Sequence, residues 1–432
     1  MNFTGLSLEQ APPISAPLRF LLSAPIFGIL GAVFIFFIDP TTLFSRFSTN
    51  SIILTHIFTL GFFTMLMLGA LQQMLPVIAG VALPQALNVA RSSHLLLSLS
   101  ILFFIYGFFF SCSTALLIAT IGLLLGFLIS LSAIIIALFR VEYVTPTIVA
   151  IRFSVTFAVI SVLMGLHLLS SYMVGNISEL HTVFANIHSV LAIFGFTGLL
   201  IIGVSFQIFP MFYVTPGFKR FCTTYVAKII SFGLVLWAVL VFLQMDIEIV
   251  AKAIIALFFL AFSTAIFKKM IVRRRKVSDV SILYVQSAAI FLATGVISWL
   301  LDEFIELDYM FMTAILIGGF LLSIMIAMLY KIVPFLVWFH LNGAGYMNIL
   351  TMKEIINAKV AKVQFALFVG AIVLLIFSMY LPLLIEIAAI MLIISFALLE
   401  YNLIKAVLYY REIKKKPSDM ELMMAGVETS EK

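Results

Sequence analysis

Apolar residues run in long stretches along this chain, and short polar segments separate the stretches. A helix needs about 20 apolar residues to cross the roughly 30 Å of hydrocarbon in a bilayer. The pattern predicts twelve membrane-spanning helices of about this length. They cover residues 18–38, 51–76, 94–110, 114–139, 148–172, 180–212, 227–245, 249–267, 281–301, 309–335, 363–383 and 385–409.

The composition agrees with this apolar pattern. Apolar residues make up 64% of the 432 residues, charged residues make up 10%, and the mean hydropathy is +1.24. A soluble domain carries about 25% charged residues, so a chain this poor in charge cannot cover its own surface in water. In a bilayer it has no need to, because lipid is an apolar solvent. We therefore predict an all-α polytopic membrane protein in contact with the lipid bilayer, and we exclude a soluble enzyme.

Charged residues sort between alternate loops. One set of loops is basic and includes the run at residues 268–276, whereas the other set is acidic and includes residues 302–308. Arg46 and Lys252 are the few basic residues on the acidic side. The positive-inside rule then places both termini in the cytoplasm and the chain in the cytoplasmic (inner) membrane. This bias accounts for the net charge of +6, so we expect no nucleic-acid partner.

The span pattern divides the chain into three parts. Residues 1–17 are predicted to form a cytoplasmic N-terminal tail, because they contain Glu9, three prolines and no basic segment typical of a cleavable signal. Residues 18–410 form a single transmembrane domain of twelve helices. Residues 411–432 form a cytoplasmic C-terminal tail, which is polar and acidic after Lys416 and is predicted to be disordered. Cys112 and Cys222 fall on opposite sides of the membrane, so they cannot form one disulfide.

A sequence motif recurs in the second, sixth and tenth spans. The three copies fit Gly-Phe-x6-(Gly/Ala)-x3-(Gln/Lys)-x2-Pro without gaps. Because each copy lies on the second helix of a set of four, we predict a pseudo-three-fold arrangement of three sets of four helices (3 x 4). Helix packing and helix ends explain the small residues and the prolines one by one, but they do not explain the shared frame. The copies are GFFTMLMLGALQQMLP from Gly61, GFTGLLIIGVSFQIFP from Gly195 and GFLLSIMIAMLYKIVP from Gly319.

The second and sixth spans carry further features of interest. The second span has His56 near its outer end, then Gly69 and the segment QQMLPVIAG at residues 72–80, and the sixth span has His181 and His188. With twelve helices in three sets of four, these features resemble subunit I of the heme-copper oxidase superfamily, which includes the nitric oxide reductases. That family places its metal ligands on the second, sixth, seventh and tenth helices. The resemblance implies heme b, copper or both as cofactors, and a c-type cytochrome or another respiratory subunit as partner.

The resemblance is incomplete in two helices. The seventh span contains no histidine, where the family has a copper-binding pair. The tenth span contains none in its membrane part, where the family has one for each heme, and Met312 occupies the place that corresponds to His188. The usual oxygen-reducing centre cannot assemble without these ligands. We therefore expect a divergent relative with a respiratory, accessory or nitric-oxide-related role, without oxidase activity, and we assign no catalytic residue.

Four of the six histidines gather in the outer half of the membrane, namely His56, His167, His181 and His188. Ionisable groups inside a membrane are candidates for function, and neutral imidazole is a common ligand of heme iron and copper. We predict His56, His188 and His181 as cofactor-binding residues, with His56 and His188 as the best pair. We predict His167, His181 and His188 as candidate metal ligands. The alternative is that each histidine hydrogen-bonds a backbone carbonyl or lies at the headgroup level.

Polar residues also recur near the inner ends of the motif helices. Gln73, Gln207 and Lys331 each stand three residues before the motif proline. They either cap carbonyls that the proline leaves free or line an inner vestibule, and Lys331 alternatively extends to the inner headgroups. Residues 335–343, which follow the last proline, are expected to lie along the inner interface.

Two functional hypotheses remain open. The first is a redox or gas-related membrane protein that binds heme or copper. The second is a transporter or pore that uses the three-fold scaffold without a cofactor. The sequence contains no Walker phosphate loop, no CxxC or CxxCH and no HExxH motif, so the enzyme classes that depend on these motifs are excluded.

Overall fold

A computed structural model describes residues 11–277, 279–378 and 380–423 of the chain. Its secondary structure within those residues is helical, and twelve helices are long and apolar enough to cross a membrane. The prediction of an all-α polytopic membrane protein is therefore confirmed. We number these helices α1 to α12; they cover Ser15–Phe37, Thr49–Ala79, Ala86–Phe109, Ser113–Phe139, Pro146–Val174, His181–Tyr213, Arg220–Phe242, Glu248–Val272, Val280–Leu301, Tyr309–Gly343, Ala358–Phe377 and Leu383–Ile413.

The motif prolines lie inside helices and do not end them. Pro76, Pro210 and Pro334 are each followed by further helical residues. Neighbouring helices can shield and satisfy the backbone groups that a proline frees, which is why membrane helices tolerate proline. After Pro334 the helix α10 runs on to Gly343 and buries residues such as Leu336, so residues 335–343 continue the tenth helix.

Neighbouring helices repeat in a regular order. The first helix of each set of four packs against two others: the second helix of its own set and the last helix of a neighbouring set. Thus α1 contacts α2 and α12, α5 contacts α6 and α4, and α9 contacts α10 and α8. The third and fourth helices of each set pack as pairs, α3 with α4, α7 with α8 and α11 with α12. The same neighbours therefore recur in each set of four.

The first glycine of each motif copy marks a close approach between two helices. A Cβ atom added there would come within 2.6, 2.8 and 2.4 Å of a phenylalanine ring on the first helix of the same set. Real Cβ atoms do not approach other atoms this closely, so only glycine fits without displacing the ring. The pairs are Gly61 with Phe27, Gly195 with Phe157 and Gly319 with Phe291.

The same glycines lie in π-helical segments, which are rare in proteins and often occur at functional sites. These segments cover Ile57–Thr64 in α2, Leu191–Gly198 in α6 and Ala314–Leu322 in α10. The motif thus shares its backbone conformation and its packing partner, as well as its sequence, in all three copies. The sequence pattern alone did not predict the π-helical segments.

The two basic residues on the acidic side have partners there. Lys252 on α8 is buried and forms an ion pair with Glu303, which follows α9. The Arg46 side chain donates a hydrogen bond to Oδ1 of Asn186 on α6, at 2.6 Å. Both cations are therefore bound by neighbouring helices, which accounts for their departure from the charge sorting of the other loops.

The C-terminal segment folds back onto the connection between α10 and α11. Asp419 accepts a hydrogen bond from the backbone N–H of Met347 at 2.5 Å, and the Tyr346 hydroxyl donates to the carbonyl of Lys416 at 2.8 Å. The prediction of a disordered tail therefore does not hold for residues 417–423. Residues 424–432 of that tail, and residues 1–10 of the N-terminal tail, lie outside the described residues.

We expect a reporter of sidedness to separate the two sets of loops. Reporters at the C-terminus and within residues 268–276 are expected to be active in the cytoplasm, and a reporter within residues 302–308 is expected to be active outside, because basic loops are retained on the cytoplasmic side. Paired alkaline phosphatase and fluorescent-protein fusions at each site would measure this. Opposite sidedness for the C-terminus and residues 268–276 would contradict the order of the twelve helices.

Candidate functional site

His56 is the last residue of α2 before its π-helical segment. Its Nδ1 atom lies 2.7 Å from the carbonyl oxygen of Ile52, one turn earlier in the same helix. Because a carbonyl oxygen only accepts hydrogen bonds, Nδ1 carries the proton and donates it. The Nε2 atom of the neutral ring then keeps its lone pair, which is the form that binds a metal.

His188 on α6 has the same hydrogen-bonding pattern through a different partner. Its Nδ1 atom lies 2.9 Å from the carbonyl oxygen of Ser161 on α5, so this ring also donates from Nδ1 and keeps a lone pair on Nε2. Gly165, one turn further along α5, makes room for the ring, since a Cβ there would lie 3.0 Å from Cε1 of His188. Neither Nε2 atom has a hydrogen-bond partner among the described residues.

The two rings face the same space. Their centres are 6.3 Å apart and their planes differ by 15°. Two imidazoles on one iron, each through a bond of about 2 Å, hold their nitrogens about 4 Å apart and their ring centres about 6 Å apart. The centres of the His56 and His188 rings are therefore about as far apart as those of two imidazoles bound to one metal ion.

A cavity beside the two histidines is lined by α2, α3, α4, α5 and α6, with one residue from α10. Its empty volume is about 810 Å³, counted together with its openings. The lining is mostly aromatic and aliphatic, and the ring of Phe104 packs 4.9 Å from that of His56, centre to centre. Concave, mostly apolar cavities with a few well-placed polar groups are the usual form of cofactor sites.

The other predicted ligands lie apart from this pair. The His181 ring packs edge-on against Tyr172 at 5.2 Å, and the exposed His167 packs against Phe184 at 5.2 Å. The part of the chain that the structure describes contains no group of three or more His, Cys, Asp or Glu side chains arranged to hold a metal ion. His167, His181 and His188 therefore do not form a three-histidine centre there.

The remaining two histidines, His94 and His340, have different surroundings. His94 on α3 is hydrogen-bonded through Nε2 to the Ser23 hydroxyl on α1, at 3.0 Å, and its ring packs edge-on against Phe20. His340 on α10 has a buried Nε2 atom without a partner in the described residues, and its ring contacts Phe339. For His94 the alternative of a structural hydrogen bond is the simpler explanation.

Lys331 on α10 is bound to Asp279, the residue before α9, by an ion pair. Its ammonium group also lies 5.2 Å from the ring centre of Tyr213 on α6. The Lys331 side chain therefore contacts Asp279 and Tyr213. The alternative considered from the sequence was that it extends to the lipid headgroups. In the other two copies of the motif, Gln73 is fully buried with no partner among the described residues, and Gln207 is exposed.

Sequence reasoning missed a buried polar network between α9, α10, α11 and α12. The Gln364 side chain accepts a hydrogen bond from the Tyr284 hydroxyl at 2.6 Å and from the Tyr330 hydroxyl at 3.3 Å, and donates to Ser395 at 2.8 Å. Asn402 donates to the Tyr330 hydroxyl at 3.4 Å. Such a network is invisible in the sequence, because its members are single polar residues in separate apolar spans.

Glu400 was also missed. It lies within α12, half-buried, and its Oε2 atom is buried without a hydrogen-bond partner among the described residues. This carboxyl group was not considered in the sequence analysis. A carboxyl group inside an apolar span is visible in the sequence and marks a candidate functional residue.

We expect Lys331→Gln to destabilise the protein, although it installs the residue that the other two motif copies carry. Burial raises the pKa of the Asp279 carboxyl, but the Lys331 ammonium and the hydrogen bond from the backbone N–H of Ser281 outweigh burial and hold this pKa below its usual value. Removing one partner leaves a largely buried charge unpaired, at a cost of about 2 kcal/mol. Chemical unfolding in detergent would measure the loss, and Lys331→Gln combined with Asp279→Asn is expected to recover most of it.

The same ion pair gives the stability a defined pH dependence. Because the pKa of Asp279 is lower in the folded than in the unfolded state, its contribution is complete above the unfolded value of about 3.9 and is lost as the pH falls through the folded value. The Asp279→Asn variant is expected to lack this acid-side loss. An unchanged acid profile in that variant would contradict the assigned role of the pair.

No protein-family model matches the chain, and no curated protein matches it.

Proposed function

We propose that this membrane protein binds one heme between His56 and His188, as a divergent relative of subunit I of the heme-copper oxidases. The observation that supports this most directly is the pair of nearly parallel rings, with centres 6.3 Å apart, at the edge of an apolar cavity. The two Nδ1 hydrogen bonds to backbone carbonyls leave both Nε2 lone pairs available. This is the tautomer that a histidine needs to ligate iron.

The residues around the pair fit a porphyrin in chemistry as well. The cavity presents aromatic and aliphatic surface, which suits the apolar faces of the macrocycle. Gly165 gives the His188 ring its position against α5. Arg46 lies in the outer connection between α1 and α2. It donates a hydrogen bond to Asn186, which is two residues before His188 in the sequence. We therefore propose that Arg46 neutralises a porphyrin carboxylate.

Ligation by two histidines restricts the chemistry of the site. If His56 and His188 both ligated its iron, a bound heme would supply one-electron transfer. The carbonyls of Ile52 and Ser161 hold the two imidazoles in one tautomer, and the apolar lining would keep water away from the iron. The seventh and tenth spans supply no further histidine ligands, so we propose an electron-transfer, accessory or nitric-oxide-related role in respiration, with a c-type cytochrome or another respiratory subunit as partner.

The proposal extends to the arrangement of the helices. We infer that the twelve helices form three sets of four related by a pseudo-three-fold axis, and that α2, α6 and α10 surround this axis. Support comes from the motif, its three π-helical segments, the three glycine–phenylalanine contacts and the recurring neighbours of each set. An experimental structure tests the arrangement, since superposition of the first four helices on the next four should require a rotation of about 120°.

The experiment that tests heme binding is purification from a membrane expression host supplied with a heme precursor. We expect a red protein with a Soret band, one heme b per chain in the pyridine hemochrome assay, and a low-spin signal in electron paramagnetic resonance. Elemental analysis of the same sample determines copper. Copper without heme would replace the heme proposal with a two-histidine copper site.

The alternative is a transporter or pore without a cofactor. One observation favours it, since α2, α6 and α10 also surround an apolar cavity away from the histidines. A colourless, metal-free preparation that fails to bind added hemin would make this alternative the better account.

A further inference from the structure

A second cavity lies where α2, α6 and α10 meet. Most of the residues that line it fall into four sets of equivalent positions in the three motif copies. One such set of positions is Ala70, Val204 and Met328, and each of these residues is partly accessible from the cavity. The three helices therefore present the same side to one central space, which we call the axial cavity.

The axial cavity is apolar. Among the described residues that line it, Ser205 alone carries a polar side-chain group, and its hydroxyl donates to the carbonyl of Ile202 at 2.7 Å. That hydrogen bond leaves no unsatisfied donor facing the space. A buried water needs two to four polar partners, whereas cavities lined by aliphatic side chains stay dry and take up small apolar molecules.

The axial cavity and the histidine cavity share one lining residue. Met67 on α2 lines both of them. Methionine is unbranched and has three rotatable side-chain bonds, so its rotamer changes can open a contact between two spaces without moving a helix. On α10, Leu321 lines the histidine cavity and Ile324, one turn further along, lines the axial cavity, so the two spaces adjoin there as well.

We propose that the axial cavity is a binding site for a small uncharged apolar molecule, of the chemical class of the diatomic gases, and that Met67 forms the movable wall between it and the histidine cavity. The chemistry follows from the lining, which offers dispersion contacts and no free hydrogen-bonding group. Ions and polar solutes are excluded because no group in the cavity replaces their hydration. This proposal concerns the cavity itself and holds whether or not the histidines bind heme.

Xenon is the probe for this site, because it binds dry apolar cavities and is strongly visible by anomalous diffraction. In crystals of the full chain under xenon pressure, we expect a peak in contact with Ala70, Val204 and Met328. Val204→Phe is expected to remove that peak by filling the space. Val235→Phe is the matched control, because Val235 is an exposed residue on α7 and the same substitution there leaves the cavity unchanged.

Two further measurements keep the test decisive. If Val204→Phe does not fold, Ala70→Val adds less volume and is expected to lower the xenon occupancy at least twofold. Absence of xenon from the axial cavity, or equal occupancy in wild type and Ala70→Val, would overturn the proposal. Stoichiometric binding of Ag(I), abolished by Met67→Leu with Met328→Leu, would overturn it in favour of a thioether metal site. The heme spectrum of each variant shows separately whether the histidine proposal stands.

Discussion

Replacing His188 with leucine is expected to abolish the spectrum of a two-histidine heme. In the proposed heme site, the substitution would remove one of the two ligating nitrogens and leave His56 as the single remaining ligand. Removing the residue that hydrogen-bonds a metal-binding histidine weakens metal binding about 10–100-fold. Removing the histidine itself is expected to have a larger effect, so we expect heme affinity to fall more than about 100-fold. Hemochrome content per chain and the Soret maximum after purification measure this.

His167→Leu is the matched control for His188→Leu. His167 is exposed on α5 and its ring contacts Phe184, so its removal leaves the two-histidine cavity unchanged. Added imidazole is expected to restore the spectrum of a His188→Gly variant, because the free ligand fits the space that the side chain vacates. A full complement of heme with an unaltered spectrum in His188→Leu would show that His188 is not a ligand.

The second large effect is expected from Gly319→Val. A Cβ at residue 319 would lie 2.4 Å from Cγ of Phe291 and 2.9 Å from its Cβ, so the added side chain must push α9 and α10 apart. Overpacking a well-packed interior typically lowers the free energy of unfolding by about 1–3 kcal/mol. Because valine is β-branched and rigid, we expect Gly319→Val to lower it by about 3 kcal/mol. The free energy of unfolding in detergent, from chemical denaturation, measures the loss.

Two variants show whether the contact with Phe291 is the cause. Combining Gly319→Val with Phe291→Ala is expected to recover part of the lost stability, because the added side chain then enters the space of the removed ring. Gly217→Val is the matched control, since no atom lies within 4 Å of a Cβ built at Gly217. Equal losses for Gly319→Val and Gly217→Val would contradict the close-approach explanation of the motif glycine.

The twelve helices were predictable because a membrane span satisfies its own backbone hydrogen bonds. Length and apolar composition therefore suffice to identify each span, without reference to its neighbours. The helix ends were less accurate, since α3 begins at Ala86 and α10 runs to Gly343, each eight residues beyond the predicted limit. Ends of that kind depend on contacts with loops and other helices, which the apolar pattern does not encode.

The candidate site was predictable in its residues and not in its geometry. His56 and His188 were chosen as a pair from their depth in the membrane and from the resemblance, and the tertiary structure decided that Ser161 and Ile52 accept their Nδ1 protons. It also separated His181 from that pair. Helix periodicity fixes which residues share a face, but the rotation of one helix against another is set by packing.

The sequence by itself determined the class of protein, the number of spans, the sorting of charge and the position of the motif, because each of these depends on local composition and spacing. Only the tertiary structure decided that Lys331 binds Asp279, that the motif glycines face phenylalanine rings, and that Met67 lines two cavities. Each of those facts joins residues from different helices or different parts of the chain. Such contacts follow from the shape of many packed side chains together, which no single stretch of sequence contains.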